Sequence, residues 1–269
     1  MTTLRFALNH MAVPRRDFVA FFALARELGI DAVEIRNDLD GIAISDGTAP
    51  EAVRAAAEAA GLTILSINAL QRFNDWTAAR AAEATALADY AAACGGRGLV
   101  LVPVCDGTTE DREKLERALA ALKPILAERR LAGLVEPLGF TFSSLRSKAD
   151  AAAAIAAVRG EGVFGLVHDT FHHHLAGEPD LFPGLTGLVH ISGVADEAVP
   201  VRDMRDPHRV LVDADDRLDT VRQIAALLAA GGYAGALSFE PFAPAVHGLA
   251  DPAVALRASM AFIEAGLEG

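Results

Sequence analysis

Short apolar runs alternate with longer helical patterns from one end of this sequence to the other, and that alternation restricts the fold more than any other feature. The runs fall at residues 4–9, 32–36, 63–69, 98–104, 133–137, 164–169, 185–192 and 236–241 and are expected to be strands. Helical patterns lie at residues 17–28, 50–60, 77–93, 110–130, 144–159, 216–230 and 252–265, with a broken segment at 175–182. Strands that are apolar on both faces and joined by helical crossovers imply a parallel sheet covered on its outer face. Eight such units are expected to close into a (β/α)8 TIM barrel, one domain over residues 1–269. An open doubly wound sheet is the structural alternative. It would carry a glycine-rich phosphate loop after the first strand, where Leu8-Asn9-His10-Met11 stands instead. Gly29, Gly61, Gly95 and Gly231 occupy the positions of helix C-terminal caps. Alanine-rich stretches such as residues 151–158 read as outer helices, because alanine is the best helix former.

Composition removes several classes of partner. A formal charge of -12 would repel a phosphate backbone, so nucleic acid is not expected as a partner. Cys94 and Cys105 are far apart and form no CxxC pair, which indicates neither a disulfide framework nor a thiolate zinc site. Residues 1–11 lack a basic region followed by an apolar stretch, and no run reaches the roughly 18–20 apolar residues of a membrane span. A cytoplasmic protein without a membrane partner is expected, and a homo-oligomer is left open.

In a barrel of this kind the active site is built at the C-terminal ends of the strands. Four runs end there in metal-ligand types: Gly133-Leu134-Val135-Glu136, Gly165-Leu166-Val167-His168-Asp169, Gly187-Leu188-Val189-His190 and Ala236-Leu237-Ser238-Phe239-Glu240. A lone buried carboxylate is ordinarily explained by a nearby Arg or Lys or by partial exposure. Three carboxylates and an imidazole on consecutive strands put mutually repelling charges in one mouth, which a divalent cation neutralises. The plainer reading is four independent, separately satisfied polar residues.

The segments Glu136-Pro137-Leu138-Gly139-Phe140, His168-Asp169-Thr170-Phe171-His172, Val189-His190-Ile191-Ser192 and Ser238-Phe239-Glu240-Pro241-Phe242 resemble the xylose isomerase-like TIM-barrel superfamily, and within it the inosose isomerases most of all. Glu34-Ile35-Arg36, Asn68-Ala69-Leu70, Arg72-Phe73-Asn74 and Val102-Pro103-Val104 extend the resemblance over nearly the whole chain. It implies one divalent metal held by Glu136, Asp169, His190 and Glu240, with His172 as a substrate ligand and Glu136 and Glu240 as the proton-transfer pair. Manganese is the first expectation, with magnesium, cobalt or zinc as alternatives. The implied activity is isomerisation of a small carbohydrate or polyol, an inosose-type substrate favoured, through a metal-stabilised enediolate. That would place the protein in carbohydrate metabolism, specifically inositol catabolism.

Arg36 and Asn68 end strands two and three, where they either grip substrate hydroxyls or close the barrel mouth. Of His172, His173 and His174, only His172 is expected to face the pocket. Arg209 resembles a substrate-binding arginine of the family. Relatives follow it with a Pro-Gly-x-Gly loop, whereas this chain reads Val212-Asp213-Ala214-Asp215-Asp216, which leaves the role of Arg209 open. Ketose 3-epimerases of the superfamily carry another Glu where Phe142 stands, which weakens an epimerase reading and tilts the resemblance toward an inosose-type substrate. Trp76, Phe73 and Phe140 could form a wall over the substrate ring, although core packing is the ordinary role of an aromatic. A dehydratase acting on inosose or dehydroshikimate, a ketose 3-epimerase and a non-catalytic sugar-binding barrel are the competing readings. A three-zinc DNA hydrolase would need more ligands and a basic surface.

Overall fold

A computed structural model describes residues 4–39, 41, 44, 46–108 and 111–268. Eight strands, β1 (Phe6–Asn9), β2 (Ala32–Arg36), β3 (Thr63–Gln71), β4 (Gly98–Val102), β5 (Ala132–Val135), β6 (Phe164–Asp169), β7 (Thr186–Ile191) and β8 (Leu237–Phe239), form a closed barrel in sequence order. All neighbours are parallel, and β1 completes the closure by pairing with β8. The helices are α1 (Phe18–Glu27), α2 (Pro50–Ala60), α3 (Ala78–Cys94), α4 (Arg112–Glu128), α5 (Lys148–Ala157), α6 (Thr170–Ala176), α7 (Thr220–Ala229), α8 (Pro244–His247) and α9 (Pro252–Glu268). Among the described residues, no helix is long and apolar enough to cross a membrane.

Local chemistry sets most boundaries. Asp17, Thr77, Asp111 and Ser147 each accept a backbone N–H of the helix they precede, meeting donors that have no partner within the helix. Gly61 and Gly95 end α2 and α3 in the left-handed region, at φ 64° and 82°. Two expectations need correction. The helix after β6 begins at Thr170, not in the segment 175–182, because the Asp169 carboxylate caps it at once and Gly177 stops it at φ 64°. The short α8 was not foreseen. Glu110, expected to open the fourth helix, lies outside the described residues.

The period-two alternation of the strands divides the core. Leu99, Leu101, Val135, Leu166, Val189 and Phe239 pack in one cluster with helix residues such as Phe21, Leu119 and Ile224, outside the sheet. The intervening Val100, Leu134, Val167 and Leu188 pack against one another inside the barrel. On β5, β6 and β7 the position two residues after each of these inner side chains is Glu136, Asp169 or His190. The same alternation that fills the barrel with Leu and Val therefore aims polar groups into its mouth.

Candidate active site

Glu136, Asp169, His190 and Glu240 are all buried, and one ligand atom from each lies within 4.8 Å of every other. The backbone ladder fixes them: Glu136 donates its N–H to Leu101 O at 3.1 Å, and Glu240 donates its own to Ile191 O at 2.9 Å. His190 stands at the centre, its Nδ1 3.0 Å from Glu136 Oε1, 3.2 Å from Glu240 Oε2 and 3.8 Å from Asp169 Oδ2.

Asp169 divides its oxygens. Oδ1 accepts the His172 N–H at 3.0 Å as the cap of α6, while Oδ2 accepts from Arg209 NH2 at 2.6 Å and faces the shared centre. Glu240 is surrounded by donors: Arg36 NH1 at 2.7 Å and Asn9 Nδ2 at 3.3 Å on Oε1, and Arg209 NH2 at 2.9 Å on Oε2. Behind His190 lies Glu34, fully buried, whose carboxylate is 3.2 Å from Nε2. Glu34 in turn accepts from Ser66 Oγ at 2.5 Å, from Asn68 Nδ2 at 2.8 Å and from the Ser238 hydroxyl. A ring held at one nitrogen by a buried carboxylate is fixed in orientation and tautomer, leaving its other nitrogen for the centre.

The charges set the proton affinities. Burial would lower the affinity of His190, but Glu240, Glu34 and Glu136 together hold it well above the ordinary imidazole value. Burial works to raise Glu34, yet His190 and the Ser238 hydroxyl outweigh it and bring it down to about 2. Glu136 is raised, burial being the largest cause and only partly opposed by His190. Glu240 is buried too, but His190, Arg209 and Arg36 keep it well below the usual carboxylate range. The two glutamates are thus pushed in opposite directions. Oxygen-rich donors with one imidazole, pointed at one centre and already drawing in positive charge, fit a single divalent cation.

Above this centre opens a cavity of about 330 Å³, lined by Glu136, Glu240, Arg36, Asn68, His172 and Arg209 among others. Every site residue expected from the sequence is therefore at the ligand cluster or on the cavity wall, although their engagements differ. The Asn68 amide is taken by Glu34 and Ser66. Arg36 is clamped between Glu240 and Asp38, the latter through two contacts of 2.8 Å. Arg209 bridges Asp169 and Glu240, so the altered sequence after it does not detach it from the site. The Asp216 carboxylate gathers that segment, accepting the N–H groups of Val194, Leu218 and Thr220. His172 receives the Gly139 N–H on Nδ1 at 3.3 Å. A Cβ on Gly139 would collide with the His172 carbonyl oxygen, so only glycine permits this approach. His173 turns away to meet His168 at 4.8 Å between ring centroids. Phe140 reaches the cavity, whereas Phe73 is fully buried in the core and Trp76 packs against it.

Sequence reasoning passed over Asn9 and the supporting role of Glu34. Asn9 is a polar residue at the end of an apolar strand, the same signal that marked Glu136 and Glu240, whereas Glu34 lies in the middle of β2. It also passed over Lys148, buried at the start of α5 with Nζ 2.9 Å from His168 Nδ1, on the outer side of β6.

A closed parallel barrel with a buried carboxylate–imidazole cluster at its C-terminal mouth defines a class of small-molecule barrel proteins. The sequence profile of the xylose isomerase-like TIM barrel family matches residues 22–265, and the chain belongs to that family. A xylose isomerase domain-containing protein from Salmonella typhimurium LT2 is 33% identical, with 98% of this chain and 97% of that one covered and a TM-score of 0.90. The IolI protein, whose structure holds a zinc atom, superposes with a TM-score of 0.85 at 18% identity, covering 98% of each chain. An L-ribulose 3-epimerase gives a TM-score of 0.74 at 21% identity, covering 99% of this chain and 95% of that one. Matches at these lower identities establish the barrel alone. No curated protein sequence matches the chain.

Proposed function

We propose that the protein is a metal-dependent isomerase that moves a proton beside the carbonyl of a small keto-polyol or ketose, an inosose-type ring being the favoured substrate. The observation that carries this reading is the convergence of Glu136, Asp169, His190 and Glu240 within 4.8 Å at the floor of an open cavity. A divalent cation held by these four, manganese first among the candidates, would polarise the carbonyl and offset the negative charge that develops on oxygen when the adjacent carbon loses its proton.

The protein's own groups divide the remaining work. Glu136 is the better base, since its described hydrogen-bond partner is His190 alone, whereas Glu240 is restrained by two guanidinium groups and an amide. Glu240, held opposite, returns the proton or fixes the reacting hydroxyl. His172, locked by Gly139, presents its remaining ring nitrogen to a substrate hydroxyl. Phe142 occupies the position of the extra glutamate of ketose 3-epimerases, and its ring stacks on Phe140 at 5.0 Å beside the cavity. That apolar wall favours isomerisation over 3-epimerisation. The test is incubation of metal-reconstituted protein with inososes and ketoses in deuterated water. Deuterium beside the carbonyl in a product of unchanged composition is the expected result. Loss of water from the product would indicate a dehydratase, and no exchange with any substrate would overturn the reading.

A further inference from the structure

Among the described residues that line the cavity, Arg205 is a cation that the proton-transfer centre does not use. Three arginines line the cavity. Arg36 is paired with Asp38 and Glu240, and Arg209 with Asp169, Glu240 and Asp206. Arg205 has no carboxylate at ion-pairing distance among the described residues; its NH1 donates only to the carbonyl oxygens of Arg202 at 3.0 Å and Met204 at 2.6 Å. Those two bonds orient the guanidinium. The aromatic pair lies beside it, with the guanidinium carbon 5.2 Å from the Phe142 ring centroid and 5.8 Å from that of Phe140. A guanidinium held within cation–π range of two aromatic rings and tied back by one nitrogen is preorganised, and its remaining N–H groups form a planar fork suited to a carboxylate.

We infer that Arg205 recognises a carboxylate on a substrate, so that among the ligands the cavity takes, an acidic keto-polyol, such as a uronate-type ketose, binds more tightly than the neutral polyol of the same skeleton. This inference rests on the reading of the cavity as the substrate site. A single guanidinium matches the charge of one carboxylate. Asp38 and Asp206, which line the same cavity and are paired with Arg36 and Arg209, repel any anion and weigh more heavily against the higher charge of a phosphate ester. With the reacting end at Glu136 and Glu240 and the carboxylate at Arg205, the substrate would lie across the cavity floor with an apolar face toward Phe140 and Phe142.

The test is calorimetric binding to metal-reconstituted protein of matched ligands differing only at C6. The panel comprises fructose, sorbose, tagatose and psicose, the four corresponding hexuluronates, and fructose 6-phosphate. At least one uluronate should bind about tenfold or more tightly than its parent sugar. In Arg205→Gln that ratio should fall to within about twofold, with Arg205→Lys intermediate; comparing ratios within each protein cancels any general change in packing against Phe142. Three results overturn the inference: no uluronate binding at millimolar concentration, no carboxylate preference in the parent protein, or a preference that survives Arg205→Gln. Tighter binding of fructose 6-phosphate than of fructuronate overturns the choice of carboxylate. Because binding is read without turnover, an Arg205-dependent carboxylate preference with no deuterium exchange would sink the isomerase reading alone, and exchange without that preference would sink only this inference.

Discussion

The strands on the two sides of the barrel carry polar residues of similar kind toward its mouth but use them differently. On β5 to β8, Glu136, Asp169, His190 and Glu240 turn ligand atoms toward one shared centre. On β1 to β3, Asn9, Glu34, Arg36 and Asn68 spend their polar atoms on those groups or on one another, with Asn9 and Arg36 on Glu240 and Glu34 on His190. One side presents chemistry and the other holds it in place. The comparison explains how four buried acidic groups and an imidazole coexist: Arg36 and Arg209 compensate Glu240 and Asp169, Glu34 compensates His190, and Glu136 is met by His190 within the cluster.

The largest break should come from the ligand side. Asp169→Ala removes a candidate ligand and the counter-charge of Arg209 together, so elemental analysis should find the metal lost and turnover should fall by about 10²- to 10³-fold or more. The same change deletes the α6 cap and should cost about 1 kcal/mol of stability in denaturant unfolding. Full metal occupancy in this variant would dissolve the distinction between the two sides.

Within the ligand side, Glu136→Gln and Glu240→Gln sharpen the picture when compared at matched metal occupancy. Proton exchange should drop by about 10²- to 10⁴-fold in the Glu136 variant and by less in the Glu240 variant, whose carboxylate is already restrained by Arg36 and Arg209. Equal losses would mean that those donors do not set the division of labour.

A smaller effect is expected on the supporting side. Glu34→Gln leaves all four candidate ligands in place but weakens the hold on His190 Nε2, and metal affinity measured by competitive chelation should fall by about 10- to 100-fold. Acid should act in the same direction. His190 is held in its protonated form by Glu240, Glu34 and Glu136, and it must be neutral to ligate a cation. Metal binding should therefore release about one proton per ion and weaken as pH falls, which calorimetry in buffers of different ionisation enthalpy would register.

The fold was largely legible because its signals are local. The patterns at residues 32–36, 50–60 and 164–169 coincide with β2, α2 and β6. The start of α6 was not, since Asp169 is at once the end of a strand and the cap of a helix, and periodicity cannot assign one residue to both. At the site, the residue types that end apolar runs pointed to Glu136, Asp169, His190 and Glu240, which the fold brings together. The buttress Glu34 meets His190 across 156 positions of sequence, a pairing that depends on barrel closure and has no local signature. Asn68 and Arg36 were visible as rim residues, but whether they serve substrate or neighbouring carboxylates depends on distances that only the folded chain supplies.

The central claim is that the β5 to β8 ends form one metal-dependent proton-transfer centre. It is tested most directly by following deuterium incorporation beside the carbonyl of the best-bound ketose or inosose in three samples: metal-free protein, metal-reconstituted protein and reconstituted Asp169→Ala. Label should enter only in the reconstituted parent protein. Incorporation at comparable rates in the metal-free protein or in Asp169→Ala would contradict the account.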